Sequence, residues 1–229
     1  MRVVITGANR GIGLGLARAY AARGAEVDAA ARKPAEAKEL QALARESGGR
    51  VRVHELDERN DAQVVALAAA LRGAAVDVLV NNAGIAGNWS TTLGTFDVEE
   101  ALRCFDTNAL GAVRVTRALV PNLRAARGKV VNMTSRMGSI GDNGSGRSYA
   151  YRMSKAALNM ATRNIAHELK GFGGIAVTLH PGWVKTEMGG DGATEEIDDA
   201  VGRIIRSIDE LDATKSGRFW HAKGEELPW

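Results

Sequence analysis

The sequence predicts an α/β protein in which helices cover both faces of a doubly wound parallel sheet of about seven strands, in three α/β/α layers. Two observations lead to this fold class. Short apolar runs alternate with longer segments of helical periodicity along the whole chain, as in proteins built from strand–helix–strand units. The runs are also mostly continuous and do not alternate between apolar and polar residues, which is typical of parallel strands buried on both faces. The length of 229 residues fits one domain, residues 1–229.

The predicted strands follow one another at regular intervals. Each is a short run rich in valine, isoleucine, leucine and alanine, and each precedes a segment long enough for a crossover helix. Because such crossovers are right-handed, the helices pack back onto the faces of a Rossmann-type sheet. The runs are residues 3–6, 27–31, 51–56, 76–80, 130–133 and 175–179.

Two connecting helices are especially clear. Apolar residues recur at helical spacing from Leu102 onward, and Pro121 predicts the end of that helix. A second helix is predicted near residues 197–208, which carry isoleucine and valine on one face. The glycine-rich stretches 138–147 and 189–192 are predicted loops, and we expect them to border a site.

The composition excludes several functional classes. Thirty basic and 27 acidic residues are scattered along the chain, so nucleic acid is not an expected partner. No apolar stretch reaches the roughly 18 residues of a membrane span, and the glycine-rich start does not resemble a secretory signal. Cys104 is the single cysteine, and we expect it to be a packed thiol in a reducing, cytoplasmic environment with no membrane partner. The four histidines lack metal-ligand spacing, so no metal site is expected.

A glycine-rich turn directly follows the first predicted strand. It reads Thr6-Gly7-Ala8-Asn9-Arg10-Gly11-Ile12-Gly13 and leads into a helical pattern. Glycine lets backbone N–H groups approach a phosphate, and a helix N-terminus favours negative charge. The sequence therefore predicts a pyrophosphate site here, although the spacing is neither Gly-x-Gly-x-x-Gly nor that of a nucleoside-triphosphate loop.

Six ordered patterns extend this observation across essentially the whole chain. They are the glycine turn, Asn81-Asn82-Ala83-Gly84, Asn108, Ser135, Tyr151-x-x-x-Lys155 and Pro181-Gly182. In order and approximate spacing they resemble the short-chain dehydrogenases/reductases. The segments 149–155 and 181–186 and the ending 217–229 resemble, more narrowly, the C-factor and sniffer-type carbonyl reductase branch of that superfamily.

The resemblance implies a nicotinamide cofactor and the residues that hold it. Asn82 to Gly84 would support the turn beside the adenosine half, and Asp57 would meet the adenine amino group. The turn at Pro181, with the backbone of Val184 and the hydroxyl of Thr186, would hold the nicotinamide carboxamide. The implied cofactor residues are Gly7, Asn9, Arg10, Gly11, Ile12, Gly13, Arg32, Asp57, Asn82, Ala83, Gly84, Tyr151, Lys155, Pro181, Gly182, Val184 and Thr186.

The expected cofactor is NADPH/NADP+, with NADH less favoured. NAD-selective relatives carry an acid at the end of the second strand, where it binds the ribose hydroxyls and repels a 2′-phosphate. That position is Ala31 here, and the cations Arg32 and Lys33 follow it. Arg10 is placed to bind a 2′-phosphate bidentately, whereas Asp28 lies within the strand.

The catalytic residues implied by the resemblance are Asn108, Ser135, Tyr151 and Lys155. Tyr151 and Lys155 are four residues apart, so they share one helix face. We expect the ammonium, together with the nicotinamide ring, to lower the tyrosine pKa so that it serves as general acid and base. Ser135 would orient the substrate oxygen, and the family role of Asn108 is to hold a water beside the lysine.

The substrate side of the site carries further expectations. Ser135 and Tyr151 are 16 positions apart, more than is usual in the family, and the extra loop would rim the substrate mouth. Tyr149 is the weaker candidate because Met153 occupies its lysine position. Trp89, Met137, Trp183 and Met188 are candidates for either an apolar pocket or ordinary core. The short segment after Thr186 predicts an open pocket with a mobile lid.

The leading functional hypothesis is an NADPH-dependent carbonyl reductase acting on a small aldehyde, ketone or alcohol. Two alternatives stay open. One is a cofactor-binding regulatory or signalling protein of C-factor type, in which catalysis is incidental. The other is a nucleoside-diphosphate-sugar epimerase or dehydratase, although the chain leaves little room for a sugar-binding region. The resemblance also implies a homodimer or homotetramer formed through the helices of Asn108 and Tyr151.

Overall fold

The computed structural model describes all residues, 1–229. Its centre is a seven-stranded sheet with the order β3-β2-β1-β4-β5-β6-β7, in which every neighbouring pair is parallel. This confirms the predicted fold class. The order reverses between β1 and β4, and in open α/β sheets ligands bind beside such a switch point, at the carboxyl ends of the strands.

The strands agree closely with the predicted apolar runs, and a short seventh strand is added at the edge. They are β1 (Arg2–Ile5), β2 (Glu26–Ala31), β3 (Val51–Glu55), β4 (Val78–Asn81), β5 (Lys129–Met133), β6 (Ile175–His180) and β7 (Phe219–His221). The α-helices are α1 (Gly11–Ala22), α2 (Lys38–Glu46), α3 (Asp61–Ala70), α4 (Val98–Phe105), α5 (Gly111–Ala126), α6 (Tyr149–Leu169) and α7 (Ile197–Asp209).

Two separate apolar cores lie on the two faces of the sheet. One joins α1, α2 and α7 to the sheet through residues such as Leu16, Leu40 and Ile204. The other joins α3, α5 and α6 through residues such as Leu67 and Leu119. Alternate strand residues enter opposite cores, as the pleat of a strand requires, and the result is the predicted three-layer arrangement.

The predicted end of a helix at Pro121 is wrong. α5 continues past the proline to Ala126, although proline removes one backbone hydrogen bond from a helix. The flanking Leu119 and Leu123 are fully buried in the core, while Pro121 lies on the exposed face. Burial of these two leucines on one continuous helix outweighs the lost bond.

A short π-helix, Asp106–Leu110, separates α4 from α5. The sequence periodicity predicts one uninterrupted helix here. A π-turn contains an additional residue and often lies at a functional site, and this one contains the predicted catalytic Asn108.

A buried acid lies within β2. Asp28 is fully buried, and it pairs with Arg2 at 3.1 Å, with Arg52 at 3.1 Å and with His54 at 2.9 Å. Burial raises the pKa of this carboxyl, but the hydrogen bonds from His54 and Arg52 outweigh burial and hold it below its ordinary value. Asp28 therefore belongs to a structural ion cluster, in agreement with the expectation that it lies within the strand.

No helix of the protein combines the length and the apolar character needed to cross a membrane.

Candidate active site

A cleft of about 1300 Å³ runs along the carboxyl ends of the strands. The predicted site residues that line it come from the glycine turn, the ends of β2, β3 and β4, helix α6 and the segment after β6. They are Gly7, Asn9, Arg10, Gly11, Ile12, Arg32, Asp57, Asn82, Ala83, Gly84, Tyr151, Lys155, Pro181 and Thr186. The remaining five, Gly13, Asn108, Ser135, Gly182 and Val184, are not among the residues that line the cleft.

The glycine turn is built by close backbone approaches. Gly7 has φ +62°, and a Cβ there would lie 2.8 Å from the Cα of Ala83. A Cβ on Gly13 would lie 2.3 Å from the carbonyl oxygen of Gly7. The Asn82 amide donates to the carbonyls of Thr6 and Gly7 at 3.0 and 3.2 Å. These glycines therefore keep open a backbone cradle at the start of α1, where the helix N-terminus favours an anion.

The turn also faces the segment that follows β6. A Cβ on Gly11 would lie 3.2 Å from the methyl group of Thr186, so the two predicted cofactor regions approach one another directly. Beside them, the Arg10 guanidinium forms an ion pair with the Glu187 carboxylate. The sequence does not indicate this partner, because Glu187 is far away in the chain and belongs to none of the six patterns.

Three further cations line the cleft just after β2 and β3. Lys33 pairs with Glu36 at 3.0 Å, and Arg59 pairs with Asp57 at 2.8 Å. The Arg59 side chain holds the pKa of the Asp57 carboxyl below its ordinary value. Arg32 lies in the same wall of the cleft and forms no salt bridge, so its guanidinium is available for an anionic ligand.

Tyr151 and Lys155 lie together in the first turns of α6, and both are buried. The Lys155 ammonium lies 5.7 Å from the centre of the Tyr151 ring and donates to the Met133 carbonyl at 2.8 Å. Burial lowers the lysine pKa to about 8. The two side chains share one helix face, as the spacing predicts.

The tyrosine pKa differs from the sequence expectation. Burial raises the pKa of Tyr151 to about 12, and a hydrogen bond with Ser135 offsets only part of the rise. The expected lowering by Lys155 is not found in the protein chain itself, because desolvation disfavours the charged form of both groups. Tyr151 is therefore a protonated hydroxyl near neutral pH.

Ser135 follows β5 and lies beside Tyr151 despite their separation in sequence. Its hydroxyl accepts the Met137 N–H at 3.2 Å and, through the hydrogen bond with Tyr151, favours the ionised tyrosine. The loop between these residues is folded back, since the Ile140 and Gly141 N–H groups donate to the Trp229 carbonyl at 2.9 and 2.7 Å.

Asn108 is buried and its side chain is fully engaged with the protein. Its oxygen accepts the Ile85 N–H at 2.8 Å, and its amide nitrogen donates to the Ile85 carbonyl and the Ser154 hydroxyl, both at 2.8 Å. Ser154 in turn donates to the Tyr151 carbonyl at 2.8 Å. Asn108 thus ties the strand β4 side of the cleft to the first turn of α6, and its role in a water relay stays a prediction.

Trp89 and Trp183 are both exposed and are not core residues. Trp89 is 42% exposed, and its ring packs edge-on against Tyr151 with 5.0 Å between centroids. Trp183 is also exposed and donates from its indole nitrogen to the Gly189 carbonyl at 2.9 Å. Tyr149 packs against Phe96 instead of Lys155, in keeping with its lower rank as a candidate.

The segment after Thr186 begins at the cleft and then turns back on itself. The Gly189 N–H donates to the Thr186 hydroxyl at 3.1 Å, and a Cβ on Gly189 would lie 2.1 Å from the Val184 carbonyl oxygen. Glu187 and Met188 line the cleft, whereas Gly189 to Gly192 do not. The open pocket and the mobility of the segment both stay predictions.

One acid in the cleft is not indicated by any of the sequence patterns. Glu58 is 5% exposed, and its Oε1 atom is buried without a hydrogen-bond partner. Its position next to Asp57, shortly after the third predicted strand, is the only sequence signal that could have identified it. Cys104 is a buried thiol, as expected, and burial raises its pKa. No group of three or more histidine, cysteine, aspartate or glutamate residues could hold a metal ion.

A family model and several known proteins match most or all of the chain. Residues 1–211 match the family described as short chain dehydrogenase. The chain is 51% identical over 155 residues to the C-signal of Myxococcus xanthus, covering 67% of this chain and 93% of that protein. It superposes on carbonyl reductase Sniffer of D. melanogaster with TM-score 0.93 and 33% identity, covering 100% of this chain and 99% of that one. An NADPH-bound carbonyl reductase from chicken fatty liver superposes with TM-score 0.93 and 32% identity, covering 100% and 98% of the two chains.

Proposed function

The chain belongs to the short chain dehydrogenase family, and from this premise we propose that it is an NADP(H)-dependent oxidoreductase interconverting a carbonyl group and an alcohol on a small molecule. One observation carries the proposal. The buried hydroxyl of Tyr151 lies in the cleft with Ser135 and Lys155 around it. This arrangement places a transferable proton where ligands of such sheets bind.

The cofactor fits the cleft on grounds of its shape and charge. The cradle kept open by Gly7 and Gly13 offers backbone N–H groups and a helix N-terminus to a pyrophosphate. Arg10 and Arg32 both line the cleft and offer guanidinium groups, which suits the 2′-phosphate of NADPH. The carbonyl reductase from chicken fatty liver is described as NADPH-bound, and it shares this fold over its length.

When bound, NADPH supplies the hydride. The chain's own residues manage the accompanying proton. Because burial raises the pKa of Tyr151 to about 12, its hydroxyl is protonated near neutral pH and suited to donate to a carbonyl oxygen that gains negative charge. Ser135 hydrogen-bonds the resulting phenolate more strongly than the phenol, and Lys155 adds positive charge nearby. The free site thus holds the proton that reduction of a carbonyl requires.

Ser135 and Trp89 define where the substrate lies. The Ser135 hydroxyl is within reach of the Tyr151 hydroxyl, so one carbonyl oxygen can accept from both. The Trp89 ring forms an apolar wall against Tyr151. An open cleft with an apolar wall is suited to a range of small aldehydes and ketones.

A substrate screen tests the proposal. Purified protein is incubated with NADPH and a panel of aliphatic and aromatic aldehydes and ketones, and the loss of nicotinamide absorbance is followed. We expect turnover of several aromatic and aliphatic members, and no turnover by the Tyr151→Phe variant. Wild-type protein that binds NADPH yet reduces no member of the panel, or a variant as active as wild type, overturns the proposal.

A signalling role is a second candidate, favoured by the 51% identity with C-signal. It predicts that cofactor binding alone is sufficient for function. Cells carrying Tyr151→Phe would then keep the wild-type phenotype of the gene, whereas the oxidoreductase proposal requires its loss. Both candidate functions require a bound cofactor. Arg10→Ala, which is expected to weaken cofactor binding, should therefore alter the phenotype under either of them.

We further propose a homodimer or homotetramer located in the cytoplasm, with residues 1–229 acting as one catalytic unit. The supporting observation is the row of exposed apolar residues Val98, Leu102, Phe105 and Leu110 along α4 and the π-helix. Large exposed apolar patches mark interaction sites. Light scattering of the purified protein tests this, and a monomer at micromolar concentration contradicts it.

A further inference from the structure

Glu58 is a buried acid that the proposed reaction does not use. It follows Asp57 in the loop after β3 and lines the same cleft as Lys155. One carboxylate oxygen, Oε1, has no hydrogen-bond partner. Burying an unsatisfied carboxyl costs free energy, so a residue of this kind in a cleft is a candidate for a functional role.

The surroundings of Glu58 accommodate it closely. A Cβ on Gly111, in the first turn of α5, would lie 2.9 Å from the Glu58 Cβ and 3.3 Å from its Oε2. Only glycine leaves room there for the carboxyl group. The first turn of α5 directly follows the π-helix that contains Asn108.

A chain of contacts leads from Glu58 toward the catalytic lysine. The Thr6 hydroxyl accepts the N–H groups of Asn82 and Ala83, both at 3.1 Å, so its own proton is free to be donated to Glu58, whose ionised form it favours. The next residue, Gly84, packs against the lysine, since a Cβ there would lie 3.5 Å from the Lys155 Nζ.

The charged groups near Glu58 and Lys155 either act on these two residues or are paired with other residues. The groups that act on the Glu58 carboxyl are the Thr6 hydroxyl, Lys155, Asp57 and Arg32. Asp57 is paired with Arg59. The groups that act on the Lys155 ammonium are Glu58 and Cys104. Burial raises the thiol pKa of Cys104, and Glu58 is the only carboxyl group that acts on the lysine. On α5, Arg114 is paired with Asp106 at 2.7 Å.

We propose that Glu58 is a positioning residue for the reaction proposed above, and that its carboxylate is the buried countercharge that keeps Lys155 in its ammonium form while Tyr151 exchanges its proton. This inference rests on the proposed function for its purpose, and on the geometry of the protein chain for its mechanism. Glu58 touches neither Tyr151 nor the substrate position, so it acts through Lys155.

The electrostatics of the pair support this role. Burial raises the pKa of Glu58 to about 7, with the Thr6 hydroxyl and Lys155 opposing the rise. Burial lowers the pKa of Lys155 to about 8, and the Glu58 charge opposes that fall. The two groups therefore titrate as a coupled pair. Without Glu58, Lys155 would lose its proton at a lower pH, and the positive charge beside Tyr151 would be lost with it.

A titration without cofactor or substrate tests the coupling. The lysine side chains are labelled with ¹³C, the Lys155 signal is assigned by its absence in Lys155→Met, and its shift is followed against pH. We expect Glu58→Gln to lower the Lys155 midpoint by roughly 1 pH unit, in the range seen for a nearby opposite charge. Glu168→Gln is the matched control, because Glu168 is an exposed acid on the same helix, and it should leave the midpoint unchanged.

Enzyme kinetics provide the second readout. In Glu58→Gln we expect the alkaline limb of kcat/KM to move to lower pH by the same amount, with kcat affected more than the KM for NADPH. Glu58→Asp should restore part of the shift. A purely structural role would lower activity at every pH and leave the limb in place.

The outcomes separate the two proposals. An unchanged Lys155 midpoint in folded Glu58→Gln overturns the role of Glu58 even if the wild type is an active reductase. A lowered midpoint in a protein that reduces no carbonyl supports the coupling and overturns the proposed function instead. If Glu58→Gln does not fold, the ¹³C titration of Lys155 in the wild-type protein decides. Coupling to Glu58 predicts that the Lys155 signal shifts in two steps. A single step contradicts the coupling.

Discussion

The Arg10 guanidinium forms an ion pair with the Glu187 carboxylate, which joins the glycine turn after β1 to the segment after β6. Both side chains are largely exposed, so the pair contributes little to stability. The pair is important because the Glu187 carboxylate competes with the cofactor. It binds the Arg10 guanidinium, to which a 2′-phosphate would bind. Binding of NADPH is expected to exchange the Glu187 carboxylate for the phosphate.

This exchange makes cofactor preference the first prediction. We expect the wild type to favour NADPH, and Arg10→Ala combined with Arg32→Ala to lose roughly 10- to 1000-fold in kcat/KM for NADPH, since charge-assisted bidentate hydrogen bonds to the phosphate are removed. The value for NADH should change much less. Glu187→Gln should lower the KM for NADPH by removing the competing carboxylate.

The control for this prediction is Arg18→Ala, an exposed cation of α1 that pairs with Glu39 and does not line the cleft. It should leave the NADPH to NADH ratio unchanged. A wild type that prefers NADH, or a double variant with an unaltered ratio, shows that these arginines do not bind the cofactor.

The second prediction concerns Tyr151. Tyr151→Phe removes the transferable proton but little contact surface, so kcat should fall by about 10²- to 10⁴-fold, the usual contribution of a general acid. The dissociation constant for NADPH, measured by fluorescence titration, should stay within a few-fold. Tyr149→Phe is the matched control and should retain most activity, because Tyr149 packs against Phe96. Equal losses in the two variants would refute the assignment.

The third prediction concerns Gly13. In Gly13→Ala the new methyl group would meet the Gly7 carbonyl oxygen at 2.3 Å and the Asn82 amide at 2.6 Å, and backbone atoms have little freedom to move. We expect a loss of about 1–3 kcal/mol in unfolding free energy from overpacking, and loss of measurable NADPH binding. Gly144→Ala is the control, because a methyl group there would have no other atom within 4 Å. Full cofactor affinity in Gly13→Ala would contradict the cradle.

The fourth prediction concerns the stability that Asp28 provides. Because the pKa of this carboxyl is held below its ordinary value, its contribution is present above the unfolded pKa of about 4 and is lost as pH falls through the folded pKa. Asp28→Asn should therefore cost about 3–5 kcal/mol at neutral pH, as expected when one partner of a buried ion cluster is removed. The cost should shrink in acid.

Urea denaturation at several pH values measures this cost. Glu46→Gln, which removes an exposed acid of α2, should have almost no effect at any pH. A cost for Asp28→Asn that is the same at low and neutral pH would show that packing, and not charge, is lost.

Much of the fold and site follows from local sequence patterns. The mostly continuous apolar runs predict the parallel strands, and the glycines around the start of α1 predict the cradle, because both depend on residues that are neighbours in the chain. The spacing of Tyr151 and Lys155 likewise fixes their common helix face. The features that the sequence does not reveal depend on residues that are distant in the chain.

Three examples show the physical reason. Pro121 lies inside α5 because tertiary burial of its neighbours outweighs a local preference. The pairing of Arg10 with Glu187 depends on how the turn and the segment after β6 meet. The burial of Glu58 depends on Gly111, from which it is separated along the chain by α3, β4 and α4. No local pattern contains such information.

The π-helix at Asp106–Leu110 also rotates the side-chain directions of α5 about the helix axis relative to those of α4. Each residue of an α-helix advances by about 100° around the axis, so the additional residue of a π-turn rotates everything beyond it by about that angle. α4 can therefore present Val98 and Leu102 to solvent while α5 presents Leu119 and Leu123 to the core. Deletion of Thr107 would remove this rotation. The exposed residues of α4 and the buried residues of α5 could then no longer both keep their present orientation.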